Sequence, residues 1–205
     1  MKYLWIFCLA LLLSPPLAAS PEWTLQASLG GAVDADSNLT VRQAGSPDVR
    51  IHARYETRPF EGPLYYAVRV GRPDPRGAWE LETIHHKVFL KNPTSEVQDF
   101  SVSHGYNLVT VARAWNLGGG LVRLGLGGVL GHAESTVRGR HLERYRWTGP
   151  SLVAGVERRF DLGARWFWDV EGKVSAARAV VPVAGGTADV PNFALHGLVG
   201  LGFRR

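Results

Sequence analysis

Cysteine occurs once in the 205 residues, at Cys8, and methionine once, at the start. Cys8 falls inside an N-terminal apolar run, so the rest of the chain has no disulfide, no thiolate nucleophile and no Cys-ligated metal. Neither HExxH nor GxSxG is present, which removes zincin and α/β-hydrolase chemistry. After the N-terminus no run of 18 apolar residues occurs; the best stretch, Val190 to Phe203, carries Asn192 and His196, and a spanning helix is excluded. Charged residues are only 20% of the chain, too few for disorder beside 45% hydrophobic ones, and the 24 glycines are too many and too irregularly spaced for a helical bundle. The net charge of +5, with Lys2 in the leader, is a mild excess that favours an anionic surface.

What is present begins with a leader. Lys2 gives a positive start, Tyr3 to Leu13 an apolar run, and Ser14 to Ser20 a small-residue stretch suited to signal peptidase. Residues 1–19 read as a cleaved signal peptide and 20–205 as one domain, a length that suits a single core or one closed barrel.

The domain alternates with period two. Trp23, Leu25, Ala27, Leu29, Gly31 and Val33 alternate with Thr24, Gln26 and Ser28, and Phe193 to Phe203 repeats the pattern. Between these, strands are expected at about 63–72, 78–90, 100–115, 120–132, 147–160 and 164–177, which makes about eight. Alternate connections are short and turn-like, at 72–77, 116–119 and 161–163; the others, 34–62, 91–99, 133–146 and 178–192, read as long polar loops. An even strand number with short turns on one side and long loops on the other is the layout of an eight-stranded antiparallel up-and-down transmembrane β-barrel in a bacterial outer membrane. A soluble barrel would alternate too, but the aromatics discriminate. Trp23, Trp79, Trp115, Phe160, Trp166 and Phe203 fall at the short-turn ends of six strands, while Tyr65, Tyr66, Phe89, Tyr106, Trp147 and Phe193 fall near the other ends, as two interfacial belts would.

An eight-stranded lumen has room for side chains and little else. Glu80, Glu82, Arg123, Glu157, Asp169, Glu171 and Lys173 read as a salt-bridge network filling it, with Gly125 and Gly127 leaving room for long neighbours. At the outer rim, His85, His86, His104 and His132 lie on adjacent strands, and His85 and His86 must point to opposite faces. Histidines beside carboxylates can bind a divalent metal or move protons. Arg138, Arg140, Arg144 and Arg146 make a basic stretch suited to phosphates.

The segments Pro59-Phe60-Glu61-Gly62-Pro63-Leu64-Tyr65-Tyr66, Leu81-Glu82-Thr83-Ile84-His85-His86-Lys87, Ser103-His104-Gly105-Tyr106-Asn107 and Gly125-Leu126-Gly127-Gly128 resemble the small outer-membrane barrels grouped with rhizobial lipid A oxidases. The resemblance covers about 59–175; Arg113, where a smaller polar residue is expected, and the Arg204-Arg205 terminus depart from it. It implies oxidation by molecular oxygen of the proximal glucosamine of lipid A, with matched positions Phe60, Glu61, Tyr65, Tyr66, Glu82, His85, Lys87, Gly105 and Asn107. The candidate catalytic residues are Glu82, His85, His86, Lys87 and His104; Tyr65, Tyr66, Arg138, Arg140 and Arg144 are candidates for substrate binding. Glu82, His86 and His104 are candidate ligands of a divalent metal ion, because a chain without thiols offers no redox group of its own. The partners expected are the outer membrane and lipopolysaccharide or lipid A, not nucleic acid, with the chain a monomer. Two alternatives stand beside this: a non-enzymatic surface barrel whose loops bind or stabilise, and a lipid A deacylase using Ser101 or Ser103 with His104.

Overall fold

A computed structural model describes residues 22–205, apart from the side chains of Ser103 and His104; the leader and Cys8 lie outside the described residues. The described residues form eleven strands and no helix: β1 (Thr24–Asp34), β2 (Ser37–Gln43), β3 (Val49–Ala53), β4 (Tyr55–Glu56), β5 (Tyr66–Asp74), β6 (Gly77–Leu90), β7 (Val97–Leu117), β8 (Gly120–Val137), β9 (Arg140–Asp161), β10 (Trp166–Val183) and β11 (Gly186–Arg204). Eight of them, β1 and β5 to β11, pair antiparallel in sequence order, and β1 pairs β11 from Thr24↔Arg204 to Asp34↔Ala194. That last ladder closes the ring.

The short turns have the expected chemistry. Gly118 and Gly119 both take positive φ (56° and 79°), the conformation a two-residue hairpin needs, and at the β5–β6 turn the Asp74 carboxylate accepts the Arg76 N–H at 2.8 Å. Burial along the ring is inverted relative to a soluble barrel. Leu25, Leu29, Val70, Leu81, Val111, Leu124, Val156, Val170 and Val199 are exposed on the outer wall, while Arg69, Glu80, Glu82, Arg123, Glu157, Glu171 and Lys173 are buried within. Apolar side chains facing out on every strand of a closed ring need a lipid solvent, so the ring spans a membrane. Trp23, Trp79, Trp115, Phe160 and Trp166 are exposed at its short-turn end, with Phe203 packed on Trp166 at 5.0 Å between ring centres. At the other end Tyr66, Trp147 and Phe193 face out as expected, but Tyr65 and Tyr106 are buried inside.

The expected long loops at 133–146 and 178–192 are not loops. β8 and β9 run on as a hairpin to Arg138-Gly139 (φ 50° and 72°), and β10 and β11 to Ala184-Gly185. The polar residues that read as loop belong to the outer half of β9, which has no partner on its β10 side: that ladder ends at Ser151↔Ala177. Beyond this point the ring opens into two facing sheets, β10–β11–β2–β3 and β4–β6–β7–β8–β9. Leu39, Val41, Ile51, Phe100, Val102, Val137, Val181 and Val190 bury one apolar core there, and the Tyr106 hydroxyl donates to the Val190 carbonyl at 3.0 Å. The molecule is therefore charged inside at the turn end and oily inside at the outer end.

The charged floor is denser than the sequence implied. Arg69 reaches Glu82, Glu157 and Glu171, each at 2.6 Å, and Arg123 bonds Glu80 at 2.9 Å, Glu157 at 2.8 Å and Glu171. Lys173 pairs with Glu82 and Glu171, and Arg159 with Glu157. Gly125 is tight against Ala112 and Thr110, whereas Gly155 is the glycine that makes room for long chains: a Cβ there would stand 3.0 Å from Lys173 Cγ and 3.4 Å from Arg123 Cγ. Gly127 serves a different end, since its missing side chain lets the β7 backbone at Val109 and Thr110 approach.

Candidate functional site

Strand alternation along β6, whose pairing with β7 is regular as far as His86, separates the candidate residues onto two sides of the wall. Glu82 and His86 face in; His85 faces out, because it shares the parity of exposed Trp79 and Leu81. Glu82 Oε1 is held by Arg69 and Lys173. His86 Nε2 lies 2.9 Å from Asp34 Oδ1, and Asp34 also accepts from Asn192 Nδ2 at 2.7 Å. Tyr65, expected as a substrate contact, is instead in this interior layer, bonded to His196, whose Nε2 meets Ser175 Oγ at 2.7 Å. The sequence reading missed Arg69, Asp34, Asn192 and His196; inward parity on β1, β5 and β11 was the available signal.

The outer side carries a second polar group. Register places Leu29, Tyr66, His85, Asn107, Leu130 and Trp147 in one row across β1, β5, β6, β7, β8 and β9. Tyr66 stacks on His85 with ring centres 4.9 Å apart and planes 12° from parallel. Asn107 Nδ2 donates to the Leu130 carbonyl at 3.1 Å, which turns Asn107 Oδ1 toward His85 Nδ1 at 2.8 Å. An amide oxygen accepts, so Nδ1 carries the proton and Nε2 is the basic nitrogen of His85. Gly105 (φ 128°) admits this arrangement, since a Cβ there would collide with the Asn107 amide. The row thus joins three of the matched positions, Tyr66, His85 and Asn107, and a fourth, Gly105, makes room for it.

Over the outer end of β6 lies the segment between β4 and β5. Lys87 Nζ donates to the carbonyls of Arg58 (2.8 Å), Glu61 (2.7 Å) and Pro63 (3.0 Å), so this fully buried lysine anchors the segment and is not free for a phosphate. Phe60 stands exposed at its tip.

The remaining candidates are dispersed. Arg138 bonds Glu96 at 2.8 Å, Gln43 at 2.9 Å and the Pro47 carbonyl at 2.8 Å, which makes it a staple between hairpins. Arg140 lies against Gly185, and Arg144 and Arg146 are exposed on β9. The side chain of His104 lies outside the described residues. Of the expected metal ligands, Glu82 gives Oε1 to Arg69 and Lys173 and His86 gives Nε2 to Asp34, while His86 Nδ1 is buried without a hydrogen-bond partner. Among the described residues, the His and carboxylate atoms that converge are those of Glu157, Asp169 and Glu171.

The outer-membrane protein AlkL, solved in DMPC lipid bilayers, superposes with a TM-score of 0.52 and 12% identity over 91% of this chain and 90% of that one. The chain shares the β-barrel fold of this outer-membrane protein. Neisserial surface protein A (TM-score 0.44, 10% identity, 90% of this chain and 97% of that one) and Ail of Yersinia pestis (0.40, 14%, 90% and 99%) are further similar structures. No protein-family model and no curated protein matches the chain. At these identities the likeness concerns the fold alone.

Proposed function

We propose that this barrel modifies the headgroup of lipid A at the outer membrane interface, with oxidation of the proximal glucosamine as the reaction. The observation that carries the reading is the Tyr66–His85–Asn107 row: polar, mutually oriented side chains on a membrane-facing wall, where such groups are costly unless used. The oxidant is molecular oxygen: His85 Nε2 takes the proton from the free anomeric hydroxyl while the C1–H bond gives its hydrogen and electron pair to oxygen, which forms a lactone and, with the proton from His85, hydrogen peroxide. Water then opens the lactone to the aminogluconate, a net gain of one oxygen. Asn107 holds the imidazole in the tautomer that permits this, and Tyr66 supplies the face on which the sugar rests. His85 lies beneath the Tyr66 ring, so rotation of that half-exposed side chain admits the headgroup. No step is assigned to a metal.

Lipid A from cells carrying the gene should be heavier by one oxygen than lipid A from cells without it, measured by mass spectrometry. His85→Ala and Asn107→Ala should abolish the gain while the barrel still shifts on unheated gels. Loss of an acyl chain instead would make the protein a deacylase. Unchanged lipid A in the wild type would leave the second reading, a non-enzymatic surface barrel, which the interior confinement of Glu82 and His86 favours.

A further inference from the structure

Where the β9–β10 ladder ends, the outer wall carries a groove of about 380 Å³ lined by Leu126, Pro150, Leu152 and Phe193. Leu126 is 68% exposed and Phe193 56%, so these side chains face the bilayer. Above it, on the outward face of the β10–β11–β2–β3 sheet, a second groove of about 720 Å³ is lined by Thr40, Arg42, Arg50, His52 and Arg178. Arg178 and Pro191 line both, so the two form one surface that passes from apolar to basic.

Its charge is not fully compensated from within. Asp189 lines the basic part and holds Arg178 through two bonds of 2.9 and 2.6 Å; Asp48 reaches Arg42 at 3.4 Å and Asp36 lies 3.9 Å from His52. Arg50 makes no ion pair with the described residues, and Arg178 keeps guanidinium donors beyond the two it gives Asp189. An apolar lower half at bilayer depth under an arginine-rich upper half matches the division of an acylated, phosphorylated glycolipid.

We propose that this groove seats one anionic lipid of the outer leaflet, with an acyl chain along Leu126, Leu152 and Phe193 and a phosphate among Arg42, Arg50 and Arg178. The site lies on β2, β3 and β8 to β11, apart from Tyr66, His85 and Asn107 on β5 to β7, and does not depend on the catalytic reading.

The test is retention of bis-phosphorylated lipid A by the purified barrel, counted by native mass spectrometry. Replacing Arg42, Arg50 and Arg178 together with glutamine should weaken retention about tenfold, the scale of losing charge-assisted bonds to phosphate, while the heat-dependent gel shift persists. Single Arg50→Gln, on an exposed face, should weaken it less, and Arg76→Gln, exposed at the turn end of the ring, should not change it. A photoreactive residue in place of Leu126 should crosslink to the acyl chain. Equal retention by the triple variant, equal retention of dephosphorylated lipid A or phosphatidylethanolamine, or crosslinks to a second barrel would each overturn the proposal.

Discussion

At the scale of single residues, Arg69 has the largest consequence. Its guanidinium, 3% exposed, serves four carboxylates on three strands, so Arg69→Ala would leave Glu80, Glu82, Glu157 and Glu171 short of one shared cation in the buried lumen. The expected cost is about 3–5 kcal/mol, the range for breaking a buried pair by removing one partner. Urea unfolding in detergent micelles, read by tryptophan fluorescence, checks it. Arg113 shows the opposite case. It departs from the lipid A oxidase pattern, and the structure explains it: it grips Asp74 at 2.5 Å and lies over the Trp79 ring at 5.5 Å, tying β7 to the turn that follows β5. The hydrogen bond from Arg113 pulls the Asp74 carboxyl down to about 2. A carboxyl lowered in the folded state contributes stability that is present above its unfolded value, near 4, and lost as pH falls through about 2. The Asp74 carboxyl resonance should therefore titrate with a midpoint near 2 and move up in Arg113→Gln, stopping short of the free value because the Arg76 N–H still bonds it, as NMR would show.

At the scale of elements, the outer hairpins depend on one another. The β8–β9 tip is a two-residue turn whose Arg138 reaches Glu96, Gln43 and Pro47, so three connections are tied by one side chain. Arg138→Ala should loosen them without touching the ring. Added trypsin should then cut intact cells faster within 42–54 and 140–146, while the turn at Gly118-Gly119, at the opposite end, stays uncut in both proteins. Equal cleavage rates would show that the apolar core between the sheets suffices without the staple.

At the scale of the whole molecule, the interior is closed twice. The ion network fills the turn end and the apolar core fills the outer end, with the Asp34, His86, Asn192 and His196 layer between. Water and ions have no continuous polar path, and the purified barrel in planar bilayers should show no conductance steps. Steps in the wild type would mean that the outer sheets part in the membrane. The surfaces that remain for chemistry are the outer wall and the outer sheets, which is where the His85 row and the arginine groove lie.

The sequence by itself determined the strand period, the short turns, the aromatic belt at the turn end and the lumen identity of Glu80, Arg123, Glu157, Glu171 and Lys173, because a two-residue repeat assigns sides without knowledge of neighbours. It could not determine the outer half. Residues 140–146 are polar because the outer end of β9 is exposed on both faces, and composition cannot distinguish such an edge from a loop. The sequence separated His85 from His86 by parity but could not say what each would meet: the folding of 57–64 over Lys87, and the register that sets Asn107 beside His85, depend on pairing across distant parts of the chain. Tyr65 and Tyr66 differ by one position and end on opposite sides of the wall, one bonded to His196 inside and one stacked on His85 outside. Only ring closure, which fixes inside and outside for every strand at once, made that choice.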